Sequence, residues 1–312
     1  MRPIPAIVGP TASGKSDLGI ALAHRLDGEV VNLDSVQVYR RIEIATAKVP
    51  LDEREGVPHH LIDIVEPTEN FTAGDWVRRA IPVIHDIEAR GRTAILVGGT
   101  GFYLRALTDG LFDAPRVDPR IRIRLAARAE RRGPERLHKL LRRLDPDAFR
   151  QLAARDRSRV VRALELRLAA GRPASALLRE RPREVLDADI AARVRIIALA
   201  PPRDALYERI NVRTDAMFAA GLVDEVRSLV EAGLPPDAKA LGAHGYRRVV
   251  EHLAGRRTLA AAIEQTKLDT RHYAKRQWTW WRGTRGVSWI HDFGFSQAAL
   301  EEAILYLTQR IT

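Results

Sequence analysis

Gly9-Pro10-Thr11-Ala12-Ser13-Gly14-Lys15-Ser16 matches the pattern G-x-x-x-x-G-K-[ST] at every fixed position. Glycines in this pattern let the backbone curl so that successive amide hydrogens point inward at phosphate oxygens. The lysine adds a point charge, and the terminal hydroxyl of Ser16 is placed to ligate Mg2+. The flanks agree with this reading. The apolar run IPAIV (4–8) leads in as a strand, and Leu18, Leu22 and Leu26 follow at helical spacing. The stretch therefore reads as a phosphate cradle, with the choice between ATP, GTP and another diphosphate left open.

Working outward, EVVNLD (29–34) and TAILVGG (93–99) read as two more short buried strands, with a helix containing Pro82 over 73–90 between them. VRIIALA (194–200) is a further strand, followed by long helical patterns over 203–231 and 259–282, and VSWI (287–290) reads as a last edge strand. Strands alternating with helices predict an α/β fold, a parallel sheet with helices on both faces. After Pro115 the rhythm changes. From 118 to 171 the pattern is helical and Arg-rich, broken at Gly133-Pro134 and Asp145-Pro146. The expected organisation is an α/β core from residues 1–115 and 190–312, interrupted by an all-helical insertion over 116–189.

The chain has 312 residues, 46% hydrophobic and 29% charged, which predicts a packed core rather than disorder. Its apolar runs fall well short of the ~18–20 residues of a membrane span, and the first one is too short for a secretory signal. There are no cysteines, which excludes a disulfide scaffold, a thiolate metal site and a cysteine nucleophile. A cytoplasmic enzyme is expected. The net charge is +11, and it is unevenly placed. Residues 116–183 hold 21 basic and 8 acidic side chains, whereas the rest of the chain holds 30 and 32. One continuous segment thus carries all the excess, as a surface meeting a polyanion requires, although a solvated helical face is the plainer alternative.

Three further stretches carry candidate chemistry. Asp34, in DSVQVY (34–39), follows the second strand and faces the phosphate site if the sheet is open, as a general base, a partner of a metal-bound water, or a helix N-cap. Gly98-Gly99-Thr100-Gly101 lies beyond the third strand, either a close-approach site or a tight turn. TRHYAKRQWTWWR (270–282) mixes bases with aromatics, suited to RNA phosphates and stacking, yet its tryptophans also suit a core. His59-His60 lacks a third metal ligand at suitable spacing.

Taken together, GPTASGKS, LDSVQVYRRIEIATAK, PHHLIDIVEP, GGTGFYLRAL, DRSRVVRALEL with GRPAS, ERINVRTDAMFAAGLVDEV and TRHYAKRQWTWWR resemble, in order, the tRNA dimethylallyltransferase family, also called tRNA isopentenyltransferases. The resemblance implies a fold like the P-loop nucleotide kinases, with a helical insertion that grips the tRNA anticodon stem-loop. It implies transfer of a dimethylallyl group from dimethylallyl diphosphate to the exocyclic amine of the adenosine 3′ of the anticodon, with Mg2+. In that family the P-loop holds the departing diphosphate rather than ATP. A monomer with no membrane partner is expected.

Carried over by motif, the resemblance assigns residues 9–16 to the diphosphate, Ser16 to the metal, and Lys15, Asp34, Thr100 and Arg213 to catalysis. Asp34 matches the general base, Thr100 the GGTG threonine, and Arg213 the arginine of RI-x-x-R. For tRNA it implies Asp34, Ser35, Val36, Gln37, Thr100 and Arg122, then Ser158, Arg159, Val160, Val161 and Arg162. It adds Leu241, Gly242, Ala243, His244, Gly245 and Tyr246. Three stretches depart from the family pattern: Ala45 stands for a glycine, Ala243-His244 for a small apolar pair, and Trp281 for phenylalanine. Two other readings compete: prenyl transfer to free adenine nucleotides, and a P-loop small-molecule kinase. Neither gives the basic segment a role. An RNA-binding nucleotide switch would need guanine-specific motifs, which the sequence lacks.

Overall fold

Every residue of the first strand, β1 (Ile4–Val8), is buried, because helices cover both faces of the sheet it joins. The computed structural model describes residues 2–112, 115, 117–180 and 183–309, so Arg116, the expected start of the basic segment, lies outside them. The chain divides into two compact units, residues 1–108 with 186–312, and residues 109–185.

The first half of the larger unit runs through α1 (Lys15–Leu26), β2 (Gly28–Asn32), β3 (His59–His60), α2 (Ala73–Ala89), β4 (Thr93–Val97) and α3 (Gly101–Thr108). The chain then enters the smaller unit: β5 (Leu111–Phe112), α4 (Pro119–Arg132), α5 (Pro134–Leu144), α6 (Pro146–Gln151), α7 (Arg157–Ala170), α8 (Ala174–Glu180) and β6 (Arg183–Glu184). It returns through α9 (Ala188–Arg193), β7 (Val194–Leu199), α10 (Arg203–Ala219), α11 (Leu222–Glu231), α12 (His244–Leu253), α13 (Leu259–Arg282), β8 (Val287–Ile290) and α14 (Gln297–Thr308). The helical pattern read over 203–231 is two helices, because Gly221 turns left-handed at φ 96° and ends the first.

The six strands of the larger unit are parallel, in the order β3-β2-β4-β1-β7-β8. Ile7 sits beside Val97 on one side and Ile197 on the other. The connection after β1 runs one way, to β2, and the one after β4 runs the other way, past β1 to β7, so a crevice opens at the carboxyl ends of β1 and β4. Residues 9–16 and Gly98-Gly99-Thr100-Gly101 both issue into it. Leu18 and Leu22 of α1, with Ala299 and Ala303 of α14, pack on Ile7, Ile95, Ile197 and Leu199, alternate residues facing one side. On the other side α2 packs against β2 and β4. Its Trp76 indole donates to the Asn32 carbonyl (2.8 Å) and stacks on Tyr103 of α3. Pro82 lies on the exposed side of α2, where the loss of one helical hydrogen bond leaves no polar group buried.

The smaller unit has its own core, centred on Leu125, Leu137, Leu141, Val160 and Leu164. Buried Asp145 ties α6 to α8, accepting from the amides of Ala148 and Ser175 and from the Ser175 hydroxyl. To these helices the structure adds a short antiparallel ladder, Leu111 opposite Glu184 and Phe112 opposite Arg183. The outgoing and returning chain run side by side there and pair their backbone groups. Hence the unit starts at Asp109 and ends at Val185, rather than at 116 and 189.

His59 and His60 form an edge strand, and His60 Nε2 meets the buried Glu29 Oε2 at 2.6 Å. Glu29 also pairs with Arg90 and Arg92. Among the described residues no group of three His, Cys, Asp or Glu is placed to hold a metal. The Arg90 hydrogen bonds, helped by His60 and opposed by burial, push the Glu29 carboxyl down to about 2. A depressed carboxyl stabilises the fold above its ordinary value of 4.5, and the contribution fades as pH falls toward 2. Glu29→Gln should cost about 1–3 kcal/mol in urea unfolding at pH 7. The gap to the wild type should shrink steadily as unfolding is repeated below pH 4.5.

Candidate active site

The P-loop backbone is held in shape by close approach. Gly9 has φ 139°, and a Cβ there would sit 2.9 Å from the Leu199 carbonyl oxygen. Gly14 has φ 86°, and a Cβ there would sit 2.7 Å from the Gly294 nitrogen. Ala12 is left-handed as well, at φ 65°, which completes the curl. Buried Gln277 of α13 accepts from the Thr11 amide (2.8 Å) and donates to the Gly99 carbonyl (3.0 Å). One side chain therefore joins the loops after β1 and β4, and a Cβ on Gly99 would strike it.

The loop borders a cavity of about 150 Å³ that Lys15, Ser16, Asp34, Arg209, Arg213 and Tyr273 also line. Lys15 Nζ donates to the Pro10 carbonyl (2.7 Å). Burial, outweighing the attraction of Asp34 and joined by repulsion from Arg213, lowers its ammonium to about 8. Burial and then Arg209 likewise hold Arg213 below the usual arginine range. Positive charge here is thus concentrated and poorly compensated, which favours a multiply charged anion.

Asp34 stands where this cavity meets a second one of about 450 Å³, and it lines both. Its Oδ1 accepts from the amides of Val36 (2.8 Å) and Gln37 (3.3 Å), while Oδ2 has no partner among the described residues. The N-cap reading is half realised: the carboxylate caps a turn, and no helix begins there. Asn32 Oδ1 holds the Asp34 amide, and the Thr100 hydroxyl accepts from the Ser35 amide (3.1 Å). Thr100 lines neither cavity and acts on the Asp34 turn from behind.

Ser35, Val36, Gly242, Ala243, His244 and Gly245 line the second cavity. Burial lowers the His244 imidazole pKa, and its ring meets Tyr273 edge-on at 5.4 Å. Gln37 lines the P-loop cavity and spends its amide on the Thr46 and Ala47 carbonyls. Leu241 and Tyr246 are buried, so their side chains cannot meet RNA. The Tyr246 hydroxyl instead donates to Glu225, whose carboxylate accepts from the Glu43 and Ile44 amides. These bonds fix the turn carrying Ala45, which packs on Gly245.

In the smaller unit Val160 and Val161 belong to the core and are likewise unavailable, whereas Ser158 and Arg159 are exposed. Arg122 makes a two-pronged pair with buried Glu165 (2.6 and 3.0 Å), and Arg162 reaches the same carboxylate. Burial opposes ionisation of Glu165, but the two arginines outweigh it and hold its carboxyl low. Gln277, Arg209 and Tyr273 are site residues that motif reading did not assign, although Gln277 and Tyr273 lie inside the 270–282 stretch.

Because Lys15 loses its proton near 8, affinity for inorganic diphosphate should fall above that pH relative to Lys15→Arg, whose charge persists. Calorimetric titrations from neutral to alkaline pH check this, with the ratio of the two affinities flat below pH 8.

A family model described as IPP transferase matches residues 37–284. A tRNA dimethylallyltransferase of Solibacter usitatus is 47% identical over 302 residues, 97% of this chain and 97% of its own. One from Geobacter metallireducens is 48% identical over 284 residues, 91% of each chain. Among solved structures, the tRNA isopentenylpyrophosphate transferase from Bacillus halodurans superposes with a TM-score of 0.67 at 38% identity, over 98% of this chain and 99% of its own. A eukaryotic dimethylallyltransferase acting on tRNA gives 0.74 at 30% identity, over 97% of this chain and 78% of its own. With identities this high over nearly the whole length, the chain belongs to the tRNA dimethylallyltransferase family.

Proposed function

We propose that the chain transfers a dimethylallyl group from dimethylallyl diphosphate to the exocyclic amine of the adenosine 3′-adjacent to the tRNA anticodon, releasing diphosphate. The observation that carries this reading is the placement of Asp34 between two cavities. One is lined by the P-loop, Lys15 and Arg213, and the other by Val36, Ala243, His244 and Gly245. A leaving group of high negative charge suits the first, and a flat base suits the second.

The carbon–oxygen bond to the diphosphate breaks, the amine nitrogen bonds to the same carbon, and the amine proton passes to Asp34 Oδ2. The amine lone pair is delocalised into the adenine ring, so the nucleophile is weak until its proton has an acceptor. Allylic cation character develops as diphosphate departs, which makes stabilisation of the leaving charge the larger effect. Lys15, Arg213 and the loop amides supply it. Thr100 holds the Ser35 amide and thereby the turn that aims Asp34.

The donor set also fits Mg2+. The Ser16 hydroxyl beside a diphosphate is the hard-oxygen surrounding this ion takes, most of its ligands coming from phosphate and water. When bound it would add positive charge at the leaving oxygens. The basic helical insertion is the surface for the anticodon stem-loop, through exposed Ser158, Arg159 and Arg122 and half-buried Arg162. The target base must leave its stack to reach Asp34. None of the described helices is long and apolar enough to cross a membrane, and we take the enzyme to act as a cytoplasmic monomer.

Labelled dimethylallyl diphosphate, unmodified tRNA and Mg2+ test the reaction, run beside AMP, ADP and ATP as acceptors. Label should enter tRNA alone; label on free nucleotides only, or nowhere, sinks the proposal. Asp34→Asn keeps the Oδ1 acceptor for the two amides and loses the base. It should lower turnover about 10²–10⁴-fold while tRNA affinity stays within a few fold. Neutralising Arg122, Arg159 and Arg162 together should weaken tRNA binding, each lost phosphate contact reducing the salt slope by about one unit. An unchanged slope would remove the insertion from RNA binding.

A further inference from the structure

Arg209 stands one helical turn before Arg213 on α10, and both guanidinium groups line the P-loop cavity. They are close enough that the charge of Arg209 helps hold Arg213 below its ordinary range. Arg209 makes no ion pair or hydrogen bond among the described residues, and its contacts are aromatic. Its guanidinium carbon lies 4.8 Å from the ring centroid of Phe295 and 5.8 Å from that of Phe293. The two rings stack on each other, 5.1 Å apart with an interplanar angle of 14°.

Phe295 is 54% exposed, a large apolar ring left in water with no core to fill. Gly294 between the rings is latched to the P-loop. Its amide donates to the Ser13 carbonyl (2.9 Å), and a Cβ on it would strike the Gly14 carbonyl. Phe293 packs against Ala12 of the loop and against Leu206 and Ile210 of α10. The Phe-Gly-Phe turn is thus registered to the backbone that would cradle phosphate, and it presents two aromatic faces to an arginine at the same cavity. A carboxylate partner would fix the arginine but neutralise it. Aromatic faces fix it and leave its charge and donors for an anion.

We propose that Arg209 is a second guanidinium contact for the diphosphate, and that Phe295 and Phe293 are positioning residues that hold it at the cavity. The proposal rests on the reading that this cradle takes the donor's diphosphate. The test compares wild type, Arg209→Gln, Phe295→Ala, Phe295→Tyr and the Arg209→Gln/Phe295→Ala double variant. It reads inorganic diphosphate affinity by calorimetry, and KM for donor and tRNA with kcat in the transfer assay.

Arg209→Gln should weaken diphosphate binding and raise donor KM about tenfold or more. Phe295→Ala should do so about two- to fivefold, and Phe295→Tyr should match the wild type. In the Arg209→Gln background, Phe295→Ala should add nothing, and the tRNA KM should stay put throughout. The assignment to Arg209 is overturned if Arg209→Gln binds diphosphate as the wild type does. The positioning role is overturned if Phe295→Ala has no effect, or the same effect with and without Arg209. Wild-type protein that binds no diphosphate removes the cradle reading itself, and this inference with it.

Discussion

Gln277 joins the two loops on which the site is built. Its side chain has one acceptor and one donor group, and it spends them on the Thr11 amide and the Gly99 carbonyl, 266 and 178 residues away along the chain. Both partners are backbone groups at the carboxyl ends of neighbouring strands, so the bridge sets the gap between the loops rather than the pose of a side chain. The glycines follow from that gap. Gly99 leaves room for the amide of Gln277, Gly98 lets the chain pass over the Leu33 carbonyl, and Gly101 makes room for Trp280. The GGTG stretch is therefore a packing solution first. Its threonine alone reaches toward the chemistry, through the Ser35 amide.

The electrostatics of the site invert the usual economy of a protein interior. Buried charges normally stand beside charges of opposite sign, as the Glu29 carboxylate does with Arg90 and Arg92, or that of Glu165 with Arg122 and Arg162. At the P-loop, half-buried Lys15 and Arg213 have only Asp34 and Asp17 nearby and make no ion pair with either among the described residues, and Arg209 leans on aromatic rings instead. That arrangement is unfavourable in the empty protein. It becomes favourable when an anion arrives, which is how a preorganised site stabilises leaving charge without rearranging at the moment of reaction.

The fold was legible where its causes are local. A strand, a glycine loop and a helix are decided within residues 4–26, and the helix breaks at Gly133-Pro134 and Asp145-Pro146 are decided by two residues each. Gly221 carried the same kind of signal for the split between α10 and α11, hidden inside an otherwise continuous helical pattern. The site was less legible, because its members are brought together by the sheet. Nothing near Gln277 in sequence indicates that it will touch Thr11. Nor does RI-x-x-R reveal which of its arginines is held by phenylalanines near the chain's far end.

Burial separates residues that a motif lists as one block. Val160 and Val161 share a helical turn with Arg159 and Arg162, yet the valines close the core while Arg159 faces water. Tyr246 follows Gly245, yet Gly245 lines the second cavity while Tyr246 reaches the other way to Glu225. A recurrent stretch of sequence is thus a mixture of groups that meet a ligand and groups that hold those groups still, interleaved at the helical period. His244 shows why the distinction matters. Two residues before the wholly structural Tyr246, its ring lies in the cavity against Tyr273. Burial disfavours its charged form, so the cavity wall carries a neutral imidazole with one donor and one acceptor. Any base entering that cavity meets a polar edge that offers it a hydrogen bond.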